Sequence, residues 1–220
     1  MNRKAPLPMP HLNRLIGVLL CLMVLGGCSA LKPAAAPQTE FYSLDAVPAD
    51  PAATAPSISA NAPSLLIAPT RAAAGFDSQR IIYVRQDHRI EYFARSEWVD
   101  TPAHMLGGLL VAEMSHNGAF RSAAMGSAAA AADLRLVTDI VRLQQDFQLQ
   151  PSQLRFTLRA TLVDGRTQRV LAWREFDARV AAPSDDPYGG VVAANRAVHQ
   201  VLREVSAFLV ETLRQAPIRR

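Results

Sequence analysis

Cysteine is nearly absent from this 220-residue chain. There are two, Cys21 inside an apolar run and Cys28 at the end of Leu25-Gly26-Gly27-Cys28. Beyond Cys28 no thiol is left to pair or to hold a metal, which excludes a disulfide scaffold and a cysteine metal site. A membrane-length apolar run is also missing. Leu15 to Leu25 is eleven residues, which at 1.5 Å each covers about half of a ~30 Å hydrocarbon core. Catalytic signatures are missing as well. No serine sits in Gly-x-Ser-x-Gly, and Tyr188-Gly189-Gly190-Val191-Val192 has no lysine to make a phosphate loop. Five histidines offer one suggestive spacing, Glu113-x-x-His116. A di-iron bundle needs that motif twice with two further glutamates, so neither a metal nor a cofactor is expected. His88, His104 and His199 read as solvated, and Asp185-Asp186 as a loop pair facing water.

What is present begins with an address. Arg3, Lys4 and Arg14 precede the short apolar run with no acid among them, followed by small residues. That order describes an export signal over residues 1–27. Leu25-Gly26-Gly27-Cys28 resembles the bacterial lipobox, in which the cysteine thiol accepts a diacylglyceryl group before cleavage just ahead of it. Cys28 is then the lipidated first residue of the mature chain. Removing residues 1–27 takes away three of the 23 basic side chains and none of the 19 acidic ones. The remaining 20 against 19 leaves no clustered positive footprint for nucleic acid.

Residues 28–63 are rich in Ala, Pro and Ser, a composition that resists helix and reads as a tether. Phe41-Tyr42-Ser43-Leu44 interrupts it with two aromatics and is expected to dock as an edge strand. The domain proper is expected over 64–220. Leu65–Ala68 reads as a buried strand stopped by Pro69, and Arg80–Arg85 with Arg89–Phe93 as a hairpin. Thr101-Pro102 opens a helix that Asn117-Gly118 ends. Arg121–Asp133 reads as a loop of low complexity. Leu134–Arg142, Leu154–Leu162 and Val170–Ala178 alternate with period two, and Asp164-Gly165 turns between the last pair. They predict a half-buried antiparallel meander with a basic outer face. After a flexible stretch through Gly189-Gly190, Val191 to about Gln215 carries an apolar stripe at helical spacing. The expected fold is α+β: a single domain of mostly antiparallel sheet with two main helices packed on one face.

The lipobox, the "FYSL" island and Leu65 to Leu110 together resemble the ABC-type transport auxiliary lipoproteins, the PqiC-like partners of MCE-domain lipid transporters. The resemblance rests on Tyr42-x-Leu44, the strand ending at Pro69, Phe76-Asp77, the Tyr92 strand, Trp98 and Pro102. It implies a lipoprotein carrying palmitate-type acyl chains on Cys28, anchored in the outer membrane and facing the periplasm. Ser29 in place of aspartate agrees with that destination. The implied partner is a periplasmic MCE-domain protein of an ABC-type transporter moving phospholipid or another hydrophobic substrate. The role would be auxiliary and non-catalytic. A structural envelope lipoprotein, or an assembly factor for an outer-membrane complex, is the alternative. Either way the work falls to a protein surface, with a homo-oligomer as a further expectation. Tyr83, Tyr92, Phe93 and Trp98 among Arg85, Arg89 and Arg95 form the candidate patch, because aromatics and arginines dominate interface hot spots. For Trp98 a place in the core at the hairpin–helix junction is an equal alternative.

Overall fold

The computed structural model describes residues 38–45, 61–127 and 131–215. The signal segment, Cys28, most of the Ala/Pro-rich stretch and the Arg219-Arg220 tail lie outside them. Among the described residues nine strands and two helices follow in chain order: β1 Glu40–Tyr42, β2 Ser64–Ile67, β3 Arg71–Ala72, β4 Arg80–Val84, β5 Glu91–Trp98, α1 Pro102–His116, β6 Ser122–Met125, β7 Leu134–Asp146, β8 Gln153–Asp164, β9 Val170–Ala181 and α2 Pro187–Gln215.

The spine is β7, 13 residues long. One of its edges pairs antiparallel with β8, which pairs antiparallel with β9. Along its other edge β2, β3 and β4 line up parallel to it in succession, Leu65 opposite Leu134, Arg71 opposite Asp139 and Tyr83 opposite Gln145. Only a long strand can host three short ones end to end. β5 returns antiparallel on β4, and β1 adds parallel to β5 as an edge. The longest pairings are antiparallel, and the architecture is α+β with a mixed sheet.

Both helices cover one face. Leu134, Leu136 and Ile140 of β7 point to it, with Leu154, Phe156, Leu158, Ala160 and Leu162 of β8, all at most 3% exposed. Helix α1 starts where Thr101 accepts the His104 amide and Pro102 occupies the first turn; Asn117 caps its end. It buries Leu106, Leu109, Leu110 and Met114. α2 buries Val191, Ala194, Val198, Val201, Leu202, Val205 and Leu209, the stripe its periodicity requires. Each such side chain contributes about 1.5–3 kcal/mol when taken from water. Asn117 ties the helices by donating to Ser206 Oγ at 3.0 Å.

Three local readings are corrected. Ser122–Met125, within the low-complexity stretch, is a strand pairing parallel with β2. Ser-Ala-Ala-Met has no strand-like composition; the unpaired edge of β2 supplies the hydrogen-bonding partners. The Gly189-Gly190 stretch is the first turn of α2. Asp186 accepts the Gly189 amide at 2.7 Å, a side-chain cap ahead of Pro187. Asp185 does not simply face water either, since its carboxylate accepts the Ser152 amide at 2.8 Å. Ser152 Oγ in turn accepts from the buried Gln145 amide at 2.9 Å. The hydrogen bonds from the Ser152 hydroxyl and amide hold Asp185 below the usual carboxylate range. A lowered folded value means a stabilising contribution present above the ordinary carboxylate range and lost as pH falls through the folded value. Asp185→Asn is therefore expected to lower stability at neutral pH and to matter little below the folded value, which flattens the acid limb of the stability curve. Melting temperatures across that range are the check.

Candidate functional site

The four aromatics of the expected patch do not share a surface. Tyr83 and Phe93 lie ring to ring at 4.5 Å, and Phe147 packs edge-on against both at 5.7 and 6.3 Å. The Tyr83 hydroxyl donates to Glu91 at 3.0 Å. Burial, and then that carboxylate, raise its pKa. Tyr92, adjacent to Phe93 in an extended strand, points to the other face, opposite Ile82. It is 38% exposed, with the Arg80 guanidinium 5.0 Å from its ring.

Trp98 is a core residue, 3% exposed. Plain alternation would put it on the same side as Tyr92. Between Arg80 and Ile82 the β4–β5 register shifts, because β5 carries extra residues there. Ala94 and Arg95 are both exposed, and beyond them Ser96 and Trp98 turn inward. A bulge reverses which parity faces the core. Trp98 thus leaves the candidate surface.

A second arrangement lies where the chain first joins the sheet. Glu40, Phe41 and Tyr42 pair with Ser96, Glu97 and Trp98, and the Val99 amide donates to Tyr42 O at 2.8 Å. The next residues cross onto the helices. Leu44 is buried, its amide 3.5 Å from Met105 Sδ of α1. Asn195 of α2 then grips the strap twice. Its Oδ1 accepts the Asp45 amide at 2.8 Å, and its Nδ2 donates to Ser43 O at 3.2 Å. One turn on, His199 Nε2 lies 2.6 Å from Asp45 O, donating to it. His199 is therefore bonded to the strap, not merely solvated. Asparagine and histidine four apart on a helix read backbone groups of two alternate residues, Ser43 and Asp45, much as a neighbouring strand would. Tyr42 donates to Glu40 at 2.5 Å, and this bond with burial pushes its pKa up to about 12. The phenol stays a donor at physiological pH.

The composition did not point to Asn195 or His199. The signal was there, because asparagine is a poor residue for a helix interior and is kept where its amide has a backbone partner. Asn195→Ala is expected to cost about 1–3 kcal/mol. The loss should fall on the strap, with hydrogen exchange at Leu44 and Asp45 accelerating on the order of tenfold while the β7–β8 amides keep their protection.

Between strap and helix lies an open groove of about 460 Å³ lined by Phe41, Tyr188, Val192 and Arg196 among others. Among the described residues no cluster of three or more His, Cys, Asp or Glu could hold a metal ion, and no helix is long and apolar enough to cross a membrane. Glu113 and His116 stand at the end of α1, where His116 Nδ1 contacts Ala112 O at 2.5 Å. His104 contacts Asp100 across one turn. These contacts orient side chains on the surface and bring no reactive pair together.

Comparison with known proteins places this architecture. The sequence profile of the ABC-type transport auxiliary lipoprotein component family matches residues 42–206. The chain belongs to that family. The match begins at Tyr42, the last residue of β1, and so includes the strap residues Ser43 to Asp45. No curated protein matches the sequence. Among solved structures, protein XCC0632 from Xanthomonas campestris is similar, at 25% identity and a TM-score of 0.67, covering 80% of this chain and 97% of that one. A second, described as an uncharacterized protein, has a TM-score of 0.60 at 12% identity over 79% of this chain and 99% of its own. It shares the fold alone.

Proposed function

We propose that this auxiliary lipoprotein is anchored in the outer membrane through a lipid on Cys28, faces the periplasm, and docks the MCE-domain protein of an ABC-type transporter. The system would move phospholipid or another hydrophobic substrate between envelope membranes, and this chain would contribute binding without catalysis. The observation that carries the reading is the family match over residues 42–206. The geometry is consistent with it: the arrangements described above are apolar and hydrogen-bonding surfaces, which suit contact with another protein. Of the expected contact residues, Tyr92 with Arg80 is the best placed, since its ring is half-exposed and carries a cation over its face. Tyr83 and Phe93 would support it from the opposite side of the strand.

Crosslinking in the living envelope, followed by recovery of the mature lipoprotein, tests the proposal. An MCE-domain protein should come with it, and most of the chain should fractionate with the outer membrane. Recovery of only outer-membrane assembly subunits would replace transport by the assembly-factor reading. Tyr92→Ala should cut the MCE crosslink severalfold at an unchanged melting temperature; an unchanged crosslink would move the docking surface elsewhere.

A further inference from the structure

Two aromatic rings stand unusually bare at one end of the domain. Phe41 on β1 and Tyr188 in the first turn of α2 are each 62% exposed, and both line the groove beside the strap with Val192 and Arg196. Exposed apolar surface gathered in one place marks a contact. The nearby carboxylates are already engaged. Glu40 accepts from Tyr42, Asp45 accepts the Ser43 hydroxyl at 2.6 Å, and Asp186 caps α2. These donors are neutral and leave the carboxylates charged; the exposed Arg196 guanidinium is the cation among them beside the rings.

Covalent connectivity says what lies near. Phe41 is thirteen residues from Cys28, a reach of at most about 45 Å at 3.3–3.6 Å per residue. α2 alone has 29 residues, about 43 Å at 1.5 Å each. The β1 end is thus leashed within one domain length of the lipid, and the Gln215 end lies most of a helix length further along. An apolar phenylalanine and an amphipathic tyrosine, flanked by an arginine that can reach phosphate, suit the boundary between acyl chains and headgroups of a phospholipid bilayer. We propose that Phe41, Tyr188, Val192 and Arg196 rest on the phospholipid surface to which the chain is tied, setting the orientation of the domain on its membrane. This rests on the Cys28 anchor proposed above.

The mature chain offers a clean probe, since acylation occupies its only cysteine. Phe41→Cys, Tyr188→Cys and, as a reference on β9, Trp173→Cys (Trp173 is 63% exposed) would each carry a nitroxide in the full lipidated protein. The vesicles would be phosphatidylethanolamine with a minority of phosphatidylglycerol. Collision with a water-soluble nickel chelate should fall severalfold at positions 41 and 188 relative to 173. Equal access at all three positions, in protein that floats with the vesicles, overturns the surface contact and leaves the anchor standing. Shielding that arises only when an MCE-domain protein is added also overturns it, in favour of a protein partner. A chain that does not float, with Cys28 still reactive to thiol reagents, removes the anchor and the contact together.

Discussion

Cys28→Ser is expected to abolish lipid attachment and leave a precursor 27 residues longer than the mature form. Three features of the sequence meet at this position. Arg3, Lys4 and Arg14 supply a positive start without an acid, Leu15 to Leu25 supplies a short apolar run, and Gly26-Gly27 supply small residues beside the cut. The thiol is the nucleophile available there to take up the diacylglyceryl group. A cysteine thiol can supply a nucleophilic thiolate, which a serine hydroxyl cannot. Serine preserves size and polarity, so its effect isolates that chemistry. Labelling cells with a fatty-acid analogue should show incorporation in the wild type and background in the variant, with the variant migrating more slowly. Equal labelling would mean that Cys28 is not the acceptor, and the outer-membrane reading would lose its anchor.

The parts of the fold legible beforehand are those in which side-chain chemistry repeats. In β8, Leu154, Phe156, Leu158, Ala160 and Leu162 alternate with polar neighbours, and that period survives in the structure because one face meets α2. The α2 stripe and the Thr101–Pro102 start are local for the same reason. β6 was not legible. Its pairing with β2 is made by backbone groups, which Ser122, Ala123 and Ala124 possess as fully as valine would. For Trp98 core and surface stood as equal alternatives, and a bulge decides for the core: beyond an insertion in the strand the parity that faces inward reverses. Asn195 and His199 eluded the reading because their partners, Ser43 and Asp45, lie about 150 residues away in the chain. Long-range contacts of single polar side chains leave no periodicity. The candidate site was therefore half visible: the Phe41–Leu44 island could be seen, while the helix that grips it could not.

The same distinction decides a pair of glycine substitutions in which helix propensity predicts the wrong sign for one. Gly108 in α1 and Gly189 in α2 are both helical, and alanine is the better helix residue by about 1 kcal/mol. At Gly108, which faces solvent, a Cβ would meet nothing within 4 Å. Gly108→Ala should therefore gain about 0.5–1 kcal/mol. At Gly189 the Cβ would sit 2.1 Å from the Ser184 carbonyl oxygen and 2.8 Å from the Ser184 amide nitrogen. Those atoms are backbone and cannot swing aside without moving the loop that carries Asp185 and Asp186. Asp186 would lose its cap on the Gly189 amide, and Asp185 its place on Ser152. Overpacking of this kind costs about 1–3 kcal/mol or more, and the lost cap adds about 1 kcal/mol. The propensity gain is outweighed. Gly189→Ala should lose about 2–3 kcal/mol net, a fall in Tm of roughly 5–10 °C for a domain of this size. Calorimetry on the two single variants reads both signs at once. If Gly189→Ala melts at or above the wild type, the Ser184 loop does not press on α2, and the capping of that helix by Asp186 goes with it.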